Sequence, residues 1–184
     1  MVNVDVADIR LRCETQPDLF SPKGLDTGSR LLLETIIKQN TPYQSILDWG
    51  CGWGAIGLVL AAQFGSAKVV AVDSDIAAIA TSKENIAINK LTNIEVIASH
   101  GFSEIAEQQF GLIVSNPPTH RGREVVDNMI HQSYERLDTD GVLAIVVEAR
   151  LKPWVARQMK LVFGNYKIAQ RGPKHVVLIA KKPE

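Results

Sequence analysis

The residues best suited to chemistry are Ser115-Asn116-Pro117-Pro118, which close the apolar run Leu112-Ile113-Val114. Prolines at a strand end stop the hydrogen-bonded ladder, but they give no reason for the amide in front of them. An exocyclic amine on a purine is a poor nucleophile, because its lone pair is delocalised into the ring. Acceptors that hold its N–H groups aim that lone pair at an electrophile. The Asn116 side-chain oxygen and the Pro117 carbonyl are such acceptors. Pro117 and Pro118 fix the backbone and add no competing N–H. Positive charge develops on the nitrogen as it attacks, so acceptors already in place bind the transition state more tightly than the ground state. Asn116, Pro117 and Pro118 are therefore the candidate catalytic residues.

A second cluster, Asp48-Trp49-Gly50-Cys51-Gly52-Trp53-Gly54, precedes a stretch rich in Ala and Leu. Glycines admit positive φ and let a ligand approach the backbone. The start of a helix adds oriented N–H groups. Asp73 ends the next apolar run, Val69-Val70-Ala71-Val72, where a carboxylate can accept both hydroxyls of a ribose. Together these features point to a nucleoside cofactor at the carboxyl edge of a sheet. Gly52, Gly54 and Gly57 also satisfy the dinucleotide pattern G-x-G-x-x-G, a weak signal alone. Two features favour S-adenosylmethionine over a nicotinamide dinucleotide. Asp48 sits where its charge attracts an ammonium or sulfonium and repels a pyrophosphate, and Asn-Pro-Pro is better explained by transfer to an amine than by strand termination. Helix capping by Asp48 and turn formation by Asp73 are the plain structural readings of the same residues.

Positioning these clusters requires alternating elements. Strand-like runs cover 45–49, 68–73, 93–98, 110–115 and 141–148, and "YKIAQR" and "HVVLIAK" close the chain as two more. Helical patterns fill 55–64, 75–90, 123–137 and 152–163, with Pro153 tolerated in a first turn. In 75–90, Ile76, Ile79, Ala80, Ile86 and Ala87 fall near helical spacing. In 123–137, Val126, Met129, Ile130, Ser133 and Leu137 share a face. Such alternation predicts an α/β fold with a mostly parallel sheet and helices on both faces. The last two strands are joined too tightly for a crossover helix, which predicts an antiparallel C-terminal strand. Residues 1–24 precede the first helix, and "VNVDV" alternates like an edge strand. The expectation is one domain over 1–184, with 1–24 packed onto it.

The chain has 184 residues and zero formal net charge, which hides an asymmetry. Residues 150–184 hold nine Lys or Arg against one acid, a net of +8, and residues 1–149 hold 11 against 19, a net of −8. A basic segment on an acidic body suggests an anionic partner, nucleic acid first. No window approaches ~18 uninterrupted apolar residues, so no membrane span is expected. The N-terminus lacks a secretory pattern. Cys13 and Cys51 show no metal-ligand spacing, no metal is expected, and both read as reduced thiols of a cytoplasmic protein.

With "DWGCGWG", "VVAVD" and "SNPP" in this order, the chain resembles class I S-adenosylmethionine-dependent methyltransferases with a Rossmann-like fold. It is most similar to the small methyltransferase domain family, which includes the catalytic halves of ribosomal RNA guanine-N2 methyltransferases and stand-alone archaeal relatives. The resemblance runs from about residue 19 and takes in "LFSPKGLDTGSRLLLETI" and "IASHGFSEI". It implies that Gly50, Gly52 and Gly54 line the cofactor with Asp48 nearby, that Asp73 binds the ribose with Ser74 following, and that His100 and Gly101 stand near the adenine. Phe20, Asp26, Thr27 and Gly28 would close over the methionine end, and Asn116 and Pro117 would orient the target amine. Thr119 stands where the family usually carries a base-stacking Phe or Tyr. Base stacking contributes ~1–3 kcal/mol, so Phe20, Trp53, Phe102 and His120 are candidates to supply a ring. Thr119 and His120 are the candidate substrate contacts. The implied reaction is N-methylation of a base amine, guanine N2 of ribosomal RNA first, with the basic segment 150–184 as the RNA contact. A glutamine side chain, a small-molecule amine, or an inactive RNA-binding module are the alternatives the residues leave open, and they leave the oligomeric state unassigned.

Overall fold

The computed structural model describes residues 1–105, 107–119 and 122–184. The chain opens with the antiparallel hairpin β1 (Val2–Val6) and β2 (Ile9–Cys13), and α1 (Thr27–Gln39) leads into the main sheet. There follow β3 (Ser45–Trp49), α2 (Ala55–Gln63), β4 (Lys68–Asp73), α3 (Ile76–Ile88), β5 (Ile94–Ala98) and β6 (Phe110–Ser115). The remainder is α4 (Arg123–Arg136), β7 (Leu137–Glu148), a single 3-10 turn, α5 (Lys152–Phe163), β8 (Lys167–Arg171) and β9 (His175–Lys181).

The main sheet has the order β5-β4-β3-β6-β7-β9-β8. The β3–β4, β4–β5, β3–β6 and β6–β7 pairs are parallel, and β9 runs antiparallel to both β7 and β8. The expected mostly parallel sheet with an antiparallel C-terminal strand is thus observed. After β3 the chain steps outward through β4 and β5, then returns to β6 on the other side. The gap beyond the ends of β3 and β6 is the point where crossover direction reverses, the usual place for a ligand.

The continuous apolar runs are explained by burial on both faces. Ile46, Val69, Leu112, Ala144 and Val177 face one core, shared with α1, α2 and the N-terminal hairpin. Their sequence neighbours Leu47, Val70, Ile113, Ile145 and Leu178 face the other, shared with α4 and α5. Val4, Val6, Leu11 and Cys13 of the hairpin are buried in the first of these cores. No helix of the described residues is long and apolar enough to cross a membrane. Cys13 and Cys51 are both free and buried, and burial pushes both thiols up.

Two local expectations are corrected. The buried face of α3 is not the Ile/Ala stripe: Ile76 is 68% exposed, Ala80 and Ala87 are exposed, and Thr81, Ser82 and Asn85 are buried beside Ala78 and Ile79. The reason is a polar partner. Asn85 accepts from the Glu14 N–H (2.6 Å) and donates to the carbonyls of Glu14 (3.0 Å) and Trp53 (2.9 Å). Gln16 adds a bond to Thr81 (2.9 Å). The helix thereby holds the segment after the hairpin against the glycine loop. The second correction concerns β7, which begins at Leu137 rather than at residue 141, because Leu137 already pairs with Phe110 ahead of a register shift.

Candidate active site

A cleft of about 930 Å³ opens along the carboxyl edge of the sheet. Its floor is the glycine loop after β3, one wall is the segment 18–29, and the other is α4 with the ends of β6 and β7. Phe20, Gly50, Gly52, Asp73, Ser74, His100, Gly101, Asn116, Pro117, Pro118 and Thr119 all line it, so most of the residues singled out in the sequence meet in one place. Thr27, Gly28, Asp48 and Gly54 do not line it. His120 lies outside the described residues.

The glycine loop is built by the backbone of its neighbours. The N–H groups of Gly50 and Cys51 both donate to the Val72 carbonyl at 2.8 and 2.9 Å, fixing the loop to the end of β4. Asp73 receives the Gly52 N–H at 2.8 Å on one oxygen and the Asp75 N–H at 3.0 Å on the other. A carboxylate oxygen has two acceptor positions, so the ribose-binding capacity expected of Asp73 survives these bonds. Gly54 is a structural rather than a contact glycine. Its φ of +95° and the Ser82 hydroxyl pressed against it leave no place for a Cβ.

Asp48 is the main departure from expectation. It is 0% exposed, behind the loop, and its Oδ2 accepts the Gly57 N–H at 2.7 Å. Its Oδ1 is buried with no hydrogen-bond partner among the described residues. Burial first, with the nearby Asp73 charge adding to it and the Gly57 bond opposing it, pushes its carboxyl up to about 7. The direct charge contact read from the sequence is therefore replaced by a brace on the first turn of α2.

The charge that a ligand meets comes from other residues. Asp18, Asp26, Asp73, Asp75, Glu124 and Glu148 line the cleft, and among the described residues no Lys or Arg does. Such a surface attracts a cationic ligand and repels a pyrophosphate. The donor set thus fits a sulfonium- and ammonium-bearing nucleoside and does not fit a dinucleotide.

Asn116 is held by partners that spacing alone does not reveal. Its Nδ2 lies 3.2 and 3.4 Å from the two oxygens of Asp26 and 3.0 Å from Ser29 Oγ. A carboxylate only accepts, so the amide nitrogen must face Asp26. The amide oxygen is then the end able to receive an amine. Asp26 is also the N-cap of α1, accepting from the N–H groups of Gly28 (2.9 Å) and Ser29 (3.1 Å). That cap was the one local signal for it, an Asp just before an apolar-periodic stretch. Behind Asn116, the Ser115 hydroxyl donates to the Trp49 carbonyl at 2.7 Å and ties β6 to β3. The Pro117 carbonyl receives the Thr119 N–H at 2.8 Å, which leaves one of its two acceptor positions for a ligand.

The rings separate clearly. Trp53 is 3% exposed, its indole N–H bonded to the Phe20 carbonyl at 3.0 Å. Phe102 packs edge-on against Trp49 at 4.8 Å in the core. Phe20 is 64% exposed on the cleft wall. Thr27 lies outside the cleft with its hydroxyl 3.3 Å from His175 Nδ1. The cleft-facing side of α4, Glu124, Asn128 and Gln132, was not singled out in the sequence, because polar residues on a helix read as a solvated face.

Residues 10–179 match the family model described as the methyltransferase small domain. The chain belongs to this family. It is 33% identical over 166 residues to the uncharacterized protein YbxB of Bacillus subtilis, covering 89% of this chain and 82% of that one. It is 38% identical over 169 residues to ribosomal RNA small subunit methyltransferase C of Actinobacillus pleuropneumoniae, covering 90% of this chain and 50% of that enzyme. A solved structure of the T. thermophilus 16S rRNA N2 methyltransferase in complex with AdoMet (S-adenosylmethionine) and guanosine superposes with a TM-score of 0.90 at 26% identity. That match covers 98% of this chain and 50% of the other. The methyltransferase domain described here spans about half the length of these ribosomal RNA enzymes.

Proposed function

We propose that the chain is an S-adenosylmethionine-dependent N-methyltransferase acting in the cytoplasm on guanine N2 of small-subunit ribosomal RNA. The observation that carries this reading is the locked amide of Asn116, with its nitrogen committed to Asp26 and Ser29 and its oxygen left to accept an amine. The relatives' names supply the choice of guanine N2 and of ribosomal RNA.

Gly50, Gly52, Asp73, Ser74 and His100 would hold the cofactor, which supplies an electrophilic methyl on a positively charged sulfur. The chain's own residues do the rest. Asn116 Oδ1 and the Pro117 carbonyl accept the N–H groups of the target amine and turn its lone pair toward the methyl. As positive charge develops on the nitrogen, the same acceptors would bind it more strongly, so no base of shifted pKa is needed for attack, and the methylated amine then releases its surplus proton to water. Phe20 offers the exposed ring that Thr119 lacks, and a base swung out of its stack would rest on it. The basic segment 150–184 offers the RNA backbone a counter-charge.

Methyl transfer to deproteinised small-subunit ribosomal RNA, followed by nucleoside analysis, tests the reading. The wild-type chain is expected to yield N2-methylguanosine. Asn116→Ala is expected to keep cofactor affinity by calorimetry and to lose about 100- to 1,000-fold in turnover, the scale of removing one transition-state hydrogen-bond partner. Undiminished turnover in that variant would mean that Asn116 does not hold the amine.

A further inference from the structure

The nine basic residues of 150–184 do not share one surface. β9 runs against β7, so His175 pairs with Glu148 at the cleft edge of the sheet, while Lys181 pairs with Val142 toward the other edge. Topology therefore sorts the charges. Arg150 and Lys152 follow β7, and Arg171 and Lys174 flank the turn from β8 to β9, all at the cleft edge. The two segments are joined, with the Ala149 N–H donating to the Lys174 carbonyl at 2.9 Å. The Gly172 N–H closes the turn on the His175 carbonyl at 2.8 Å. Arg150, Arg171 and Lys174 are exposed and Lys152 is half-buried. Glu148, bonded to Arg150 at 2.6 Å, offsets one of the four charges.

At the opposite edge Lys167, the first residue of β8, is exposed, while three other cations are engaged within the protein. Lys181 pairs with Asp140 at 2.7 Å, Lys182 donates to the Leu137 carbonyl at 2.7 Å, and Lys160 donates to the Gly164 carbonyl at the end of α5.

The cleft adjoins the first set through Glu148 and His175, which line it, and its own walls are acidic. A polyanion cannot lie along those carboxylates. A base can enter the cleft only if its phosphates stay outside, against cations at the rim. We infer that Arg150, Lys152, Arg171 and Lys174 form a phosphate-binding rim that holds the RNA backbone beside the target nucleotide. The inference rests on the RNA reading above and narrows it from the whole basic segment to one edge of the sheet.

The test compares a rim variant, Arg171→Gln with Lys174→Gln, with an opposite-edge variant, Lys160→Gln with Lys181→Gln. Lys152→Gln alone serves as a second rim variant. The substrate is deproteinised small-subunit ribosomal RNA, assayed at several salt concentrations beside calorimetry with S-adenosylmethionine. Each phosphate contact contributes roughly 0.7–0.9 to the slope of log affinity against log salt. The double rim variant is expected to raise KM for RNA about tenfold or more, to leave kcat within twofold and cofactor affinity unchanged, and to lower the salt slope by about 1.5. The opposite-edge variant is expected to keep wild-type values. Unchanged KM and slope in both rim variants, or an equal loss in the opposite-edge variant, would overturn the rim. A wild-type chain that binds S-adenosylmethionine but transfers no methyl to RNA at any salt would instead overturn the RNA reading, and the rim with it.

Discussion

Replacing Asp26 by serine separates two jobs that one carboxylate performs. Asp26 caps α1 through the N–H groups of Gly28 and Ser29, and it orients Asn116 through contacts of 3.2 and 3.4 Å. Serine caps a helix about as well as aspartate. Its hydroxyl sits nearer the backbone and cannot serve the cap and Asn116 together. A hydrogen bond to a charged group contributes about 1.5–3 kcal/mol net. That is the energy now biasing the Asn116 amide toward one of its two orientations, and Ser29 Oγ at 3.0 Å retains part of the bias. A barrier raised by about 1.4–2.8 kcal/mol slows turnover roughly ten- to a hundredfold. Loss of stability should stay near 1–2 kcal/mol, because the cap remains, whereas Asp26→Ala should lose about 1 kcal/mol more. Single-turnover methyl transfer, calorimetry with S-adenosylmethionine and urea unfolding measure the three quantities. Wild-type turnover in the serine variant, with cofactor affinity intact, would refute the orienting role and leave Asp26 as a cap alone.

The remaining predictions concern the glycine loop. Asp48 has its carboxyl raised from 3.8 to about 7 by burial, so between those values the folded chain holds a proton that the unfolded chain has released. Stability therefore falls as pH rises through that window and levels off above it, by an amount on the order of 4 kcal/mol. Asp48→Asn keeps an acceptor for the Gly57 N–H and should flatten this slope in urea midpoints taken at pH 4.5, 6 and 8; an unaltered slope would count against the assignment. Gly54→Ala forces a side chain into a left-handed conformation and against Ser82, for about 3 kcal/mol of lost stability. Because the Ser82 hydroxyl is the group the new Cβ meets, adding Ser82→Ala should recover part of that loss in thermal unfolding.

The strands of the main sheet were readable because burial on both faces makes each a continuous apolar run. Val69–Val72 and Leu112–Val114 need no partner to declare themselves. The glycine loop, Asp73 and Asn-Pro-Pro were readable for a related reason: each is a short local pattern at the end of such a run. What sequence could not give were pairings between distant positions. Asp26 meets Asn116 from 90 residues away, and Asn85 meets Glu14 from 71. Both look locally like ordinary polar residues of a cap and a helix face. The same limit hides the buried face of α3, whose apolar stripe obeys helical spacing and contributes Ile79 and Ile86 to the core while a distant backbone segment recruits its polar side. The depth of Asp48, whose charge the sequence places beside a cationic ligand, is equally hidden, because position before a glycine loop says nothing of burial.

The position of β9 bears on how the chain can fold as it is made. Of the seven strands it is the last in sequence, yet it lies between β7 and β8. β8 has no other partner in the sheet, and β7 pairs along Val142–Glu148 with nothing but β9 on that side. A nascent chain synthesised as far as the β8–β9 turn thus carries one strand with nowhere to dock. It also carries the open apolar edge of Leu143, Ile145 and Val147, a template for pairing with other chains. Closure of the sheet must wait for residues 175–181, and until they emerge that edge stays open to pairing with other chains. Ribosome-bound chains ending before and after that strand should differ sharply in protease resistance.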